Sequence, residues 1–216
     1  MIDFLQRRQG PLAALLLITG LILVWLSPTE RTLGQAVKLV YIHGALVRTA
    51  ILLFALGIPL NLLGVFRPSG GWLAWGKAVV WAAVLIWLAH TLFSMITTYA
   101  AWGIFIAWYE PRTRFTFILA GVSLVIIGAA WFVDDVRFTA AVFAILGGLV
   151  LGLMPQLGVM QHPLDPIGTS TSDSIRWFYA AILIITIGLG GLLSLWLRGL
   201  LSAKGQGRGR HSLSQM

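Results

Sequence analysis

Residues 37–66 read VKLVYIHGALVRTAILLFALGIPLNLLGVF, thirty positions whose only charges are Lys38 and Arg48. A helix of this length rises about 45 Å at 1.5 Å per residue, more than the roughly 30 Å hydrocarbon layer of a bilayer requires. Similar runs lie on either side. Together with their punctuation they predict helices near 11–27, 37–66, 73–101, 115–133, 138–160 and 176–198. Arg67-Pro68-Ser69-Gly70-Gly71, Asp134-Asp135-Val136-Arg137 and the polar stretch from His162 to Asp173 separate neighbouring runs. In lipid each run must satisfy its own backbone, which a helix does. The expected fold is all-α: an integral membrane six-helix bundle over residues 1–200, with an aromatic outer loop between helices 3 and 4. Residues 201–216 follow as a disordered basic cytoplasmic tail, because a Gly, Ser and Arg composition buries too little surface to order itself.

Composition supports the same class. Hydrophobic residues make up 58% of the 216 positions and charged residues 10%, with a mean hydropathy of +0.90, an excess that one water-soluble core cannot hide. The net charge of +8 would suggest nucleic acid in a soluble protein. Here the basic residues sit beside apolar spans, and topology explains them without a nucleic-acid partner. Arg7 and Arg8 precede the run from Pro11 to Leu26, which lacks a small-x-small cleavage site before Ser27-Pro28 and reads as a retained first helix. An even number of spans puts both basic termini on one side, the cytoplasm, with Arg67 and Arg137. Segments 28–36, 102–114 and 161–175 then face outward with nearly balanced charge.

Cysteine is absent, so any metal or haem must be held by His, Met, Tyr or carboxylates. His43 falls near the outer end of the second helix and His162 just beyond the fifth, on the same outer side. Two outward histidines at one membrane level make a bis-histidine site geometrically possible. Taken singly, each is equally an interfacial histidine satisfied by water or a carbonyl. Between them in sequence runs Trp102-Gly103-Ile104-Phe105-Ile106-Ala107-Trp108-Tyr109-Glu110-Pro111-Arg112, an aromatic platform ending in charge. Flat rings suit a macrocycle and arginine suits its propionates; an ordinary interfacial aromatic belt has the same composition. Glu110-Pro111 also fits the start of the fourth helix.

The order of these features resembles the haem-handling membrane proteins of cytochrome c maturation, most nearly the six-helix CcmC-like cytochrome c assembly proteins. That family carries Tyr-x-His-Val-Pro-Ala, which Tyr41-Ile42-His43-Gly44-Ala45 resembles in its first half. Its tryptophan signature, Trp-Gly-Thr-Trp-Trp-Val-Trp-Asp-Ala-Arg, is matched by Trp102, Gly103 and Trp108, with Phe105 and Ile106 in place of two tryptophans and Tyr109 inserted before Glu110-Pro111-Arg112. His162, Asp165-Pro166 and Ile175-Arg176-Trp177 resemble the family's His, later Asp-Pro, and Leu-Arg-Trp. The resemblance spans Lys38 to Arg198 and rests on order and topology, since no single motif is intact. It implies a haem-binding, haem-transport protein of cytochrome c-type biogenesis in a bacterial cytoplasmic (inner) membrane. His43 and His162 would be axial ligands of the iron of a non-covalent, transient haem b, and Trp102, Trp108 and Arg112 would line or orient it. Partners would be a haem chaperone or apocytochrome c, ABC transporter subunits and membrane lipid.

Two intramembrane polar residues stand out. Arg48 lies deep in its helix, where an unpaired charge costs about 2.5–3.5 kcal/mol, so a partner is expected. At about 100° per residue it sits some 140° from His43, and the two need not face one site. His90 joins Ser94, Thr97 and Thr98 in a stripe that marks the bundle-facing side of the third helix, with no obvious histidine mate at its depth. Pro155 is expected to kink the fifth helix, with Gln156 available for freed backbone groups. Phosphate-loop, intramembrane serine protease and His-Glu-x-x-His patterns are missing, as is an acidic pair within a span, so no enzymatic activity is expected. The alternative is a non-catalytic transmembrane subunit of a respiratory, photosynthetic or transport complex that keeps the fold without binding haem. A small-solute transporter is disfavoured because no repeat or matched broken helices are visible.

Overall fold

The computed structural model describes residues 2–67, 71–160 and 167–213, with side chains between Arg7 and Leu201. Six helices among the described residues, each long and apolar enough to cross a membrane, make the chain an all-α, multi-pass membrane protein. They are α1 (Ile2–Leu26), α2 (Val37–Phe66), α3 (Gly71–Trp102), α4 (Pro111–Val133), α5 (Val136–Leu153) and α6 (Asp173–Leu213). Helix α2 is central: it packs most extensively on α3 and α5, while α6 covers α3 and α2, α4 leans on α5 and α3, and α1 lies mainly on α6.

Element ends follow local chemistry. Helix α4 starts at Pro111, whose missing N–H is an orphan position of the first turn in any case. Asp134, in the left-handed region at φ 49°, ends α4. The Asp135 carboxylate accepts the Phe138 N–H to begin α5. The fifth helix stops at Leu153 instead of running to 160: Pro155 cannot donate and its ring clashes with the preceding turn, so the chain closes in a single 3₁₀ turn over Met154–Gln156. Gln156 Nε2 does donate to the Gly152 carbonyl, at 2.8 Å. The α6 backbone is helical to Leu213.

The core centres on Phe54 of α2, Trp87 of α3 and Phe143 and Leu146 of α5, all essentially buried. Because lipid offers no hydrophobic driving force between helices, close packing of small residues carries association. A Cβ added at Gly147 would stand 2.8 Å from Ile58 Cγ1 and 2.9 Å from the Phe54 carbonyl oxygen, whereas Gly148 faces open space. Gly147→Ala should therefore force α5 off α2, costing about 1–3 kcal/mol. Thermal melts in detergent should show a lowered midpoint for Gly147→Ala and none for Gly148→Ala; equal midpoints would refute this account of the α2–α5 seam.

Candidate functional site

A cavity of about 880 Å³ opens at the end of the bundle where α2 and α6 begin and α3 ends. Helix α2 lines it with Val37, Val40, His43, Gly44, Val47, Arg48 and Ile51. At 100° per residue these occupy one continuous sector of about 140°, with His43 and Arg48 at its two edges. The angular separation that argued against a shared site is the width of the wall itself. From Val37 to Ile51 that wall descends about 21 Å at 1.5 Å per residue.

Facing it, α3 contributes His90, Ser94, Thr97 and Thr98, the polar stripe legible in the sequence, and Trp102. His90 does have a histidine mate: its ring centroid lies 4.5 Å from that of His43, with the planes 31° apart. The expectation of none fails because periodicity gives a residue's face but not the register between two antiparallel helices. Behind His90 stands Trp87, 5.2 Å away between centroids, whose Nε1 donates to the Thr116 carbonyl oxygen at 3.1 Å.

Glu110, Arg112, Thr113, Phe115 and Thr116 close the cavity from the α4 side. Glu110 is 2% exposed, and its carboxylate accepts the backbone N–H of Met160 at 3.2 and 3.3 Å. This ties the segment before α4 to the connection between α5 and α6. Leu157 and Ile167 on either side of residues 161–166 also line the cavity. His162 lies outside the described residues.

Of the residues singled out from sequence, the cavity thus unites His43, Trp102 and Arg112. Trp108 does not line it. Gly103, at φ +74°, turns the chain at the end of α3, and Trp108 packs on Phe117 of α4 at 5.1 Å while staying largely exposed. Phe105 stacks on Tyr99 at 4.3 Å, also on the exterior.

Arg48 finds an aromatic neighbour, its guanidinium 5.2 Å from the centroid of Tyr179 on α6. Tyr179 reaches it because residue 44 is glycine: a Cβ there would lie 3.1 Å from the Tyr179 hydroxyl. The glycine at position 44 thus has a packing reason. Tyr41, fully buried, donates its hydroxyl to the Pro28 carbonyl at 3.1 Å and fixes the segment leading into α2. At the rim, Glu30 receives the N–H groups of Leu33 and Thr32, and the Leu33 bond above all holds its carboxyl below the usual carboxylate range.

Sequence reasoning missed the roles of Glu110 and Tyr179 because each acts across elements more than forty positions apart. The lining therefore combines apolar walls, an imidazole pair, two guanidinium groups, two carboxylates and a hydroxyl stripe. No known protein family matches the chain, and no curated protein does.

Proposed function

We propose that the protein holds and delivers haem for cytochrome c assembly at the outer face of a bacterial inner membrane, both termini being cytoplasmic. The observation that carries this reading is a cavity shared by His43, Trp102, Arg112 and Arg48, drawn from three helices and large enough for one ligand of that class. Among the described residues, His43 would hold the iron and Arg112 and Arg48 would take the two carboxylates; His162, expected from the sequence as the second ligand, lies outside the described residues. Trp102 would flank the ring. Haem itself supplies the iron chemistry; the protein's part is to bind, orient and release it without catalysis. Partners in this reading would be a haem chaperone or apocytochrome c, alongside ABC transporter subunits.

Titrating haem into the detergent-purified protein tests this. A saturable Soret band that His162→Ala greatly weakens is the expected result; no band above that of detergent alone would sink the proposal.

A second reading, a non-catalytic subunit of a larger membrane complex, is favoured by α1. No residue of its span is buried, which leaves a face for a partner helix. Stable co-purification with a complex and no haem uptake would select it.

A further inference from the structure

The wall that α2 presents to the cavity has different chemistry at its two edges. His43, at one edge, lies against His90 of α3, and Arg48, at the other, lies against Tyr179 of α6. Arg48 stands five residues past His43, about 7.5 Å further along the helix at 1.5 Å per residue. It stays charged there, because a guanidinium does not give up its proton in proteins. Its side chain is long and has many rotamers, so a fixed position has to be enforced by a neighbour.

That neighbour is Tyr179. The guanidinium carbon lies 5.2 Å from the centroid of the Tyr179 ring, within the roughly 6 Å reach of a cation–π contact. The ring is itself held. Tyr179 is 6% exposed and belongs to an apolar cluster with Val37, Val40, Tyr41 and Ile175. Its centroid is 6.4 Å from that of Tyr41, whose hydroxyl donates to the Pro28 carbonyl. Gly44 and Arg48 are four residues apart and share a helix face. The missing side chain at Gly44 makes the slot that the ring enters, since a Cβ there would stand 3.1 Å from the Tyr179 hydroxyl and 3.4 Å from its Cε2. One turn of α2 thus supplies both the slot and the cation. Both residues line the cavity, but Arg48 is exposed and Tyr179 buried, so the group offered to a ligand on this side is the guanidinium. A cation whose place is set in advance binds a carboxylate without first ordering its own side chain.

The geometry points to Tyr179 as a positioning residue for Arg48, holding its guanidinium as a preset seat for an anionic group of the ligand; this rests on the haem reading above, in which that group is a haem carboxylate. The ligand is thereby oriented, with its iron at the α3 edge of the wall and a carboxylate at the α6 edge. The test uses the full chain in detergent and two probes, haem and haem dimethyl ester, whose carboxylates are capped and uncharged. Arg48→Gln should weaken haem binding roughly tenfold or more and change ester binding little. Tyr179→Leu, which leaves Arg48 without its ring, should weaken haem binding about threefold to tenfold and again spare the ester. Tyr179→Phe keeps the ring and should recover most of that loss. Gly44→Ala, which displaces the ring, should act as a milder Tyr179→Leu. Equal losses on the two probes in Tyr179→Leu would make Tyr179 a wall of the cavity and overturn the positioning role. Wild-type haem affinity in Arg48→Gln or in Tyr179→Leu would overturn it too, while the wild-type Soret band leaves the haem reading intact. A wild-type protein without a Soret band would overturn both. If neither Tyr179→Leu nor Gly44→Ala folds, the ring belongs to the packing of α6 on α2 and the positioning role is likewise overturned.

Discussion

His43→Ala is expected to abolish haem binding while leaving the bundle intact, a loss on the order of a hundredfold or more in affinity, or about 2.7 kcal/mol or more. His43 faces the cavity and is only partly buried, so truncation enlarges a space that is already open instead of creating a void in the core. The thermal midpoint of the haem-free protein should therefore change little. Imidazole added to the variant should restore part of the Soret band, because the deleted ring leaves room for it beside His90. A His43→Ala protein that binds haem like the wild type would remove His43 from the site.

The second large effect is expected at Glu110. Its buried carboxylate accepts the Met160 N–H across fifty positions of sequence, and it stands directly before α4, two residues from Arg112, which lines the cavity. Hydrogen bonds to a charged group contribute about 1.5–3 kcal/mol. Glu110→Ala removes the tie between the segment before α4 and the connection that carries His162. The expected outcome is a lowered melting midpoint, faster hydrogen exchange at Met160, and haem affinity reduced about tenfold or more, since each 1.4 kcal/mol is a factor of ten. Glu110→Gln keeps one acceptor oxygen and should fall between. Unchanged exchange at Met160 in Glu110→Ala would show that the tie does not hold the connection.

The two variants separate chemistry from placement. His43→Ala should lose binding without losing stability, and Glu110→Ala should lose both together. A common loss of stability in the two would argue that the cavity is a packing feature and not a ligand site.

Much of the site was legible before any tertiary structure. His43, Trp102 and Arg112 could be placed at one end of the bundle from their distance to helix ends, and the stripe of His90, Ser94, Thr97 and Thr98 from its spacing. Trp108 shows where that reasoning stops. A run of aromatic residues suggests one continuous platform, but the turn at Gly103 sends Trp108 to Phe117 instead, because a loop's direction depends on a backbone angle that composition does not specify.

Depth in the membrane and the face each residue occupies were decided by the sequence, since both follow from counting along an apolar helix of known rise and period. The number and order of the six helices come from the same count. Only the tertiary structure decided which faces meet. Gly147 lets α5 approach the Phe54 carbonyl, Gly44 admits Tyr179 to the Arg48 side of α2, and the register of α2 on α3 brings His43 to His90. Rotation and register between helices depend on the interlocking of side chains from distant segments, and periodicity within one helix carries no information about them.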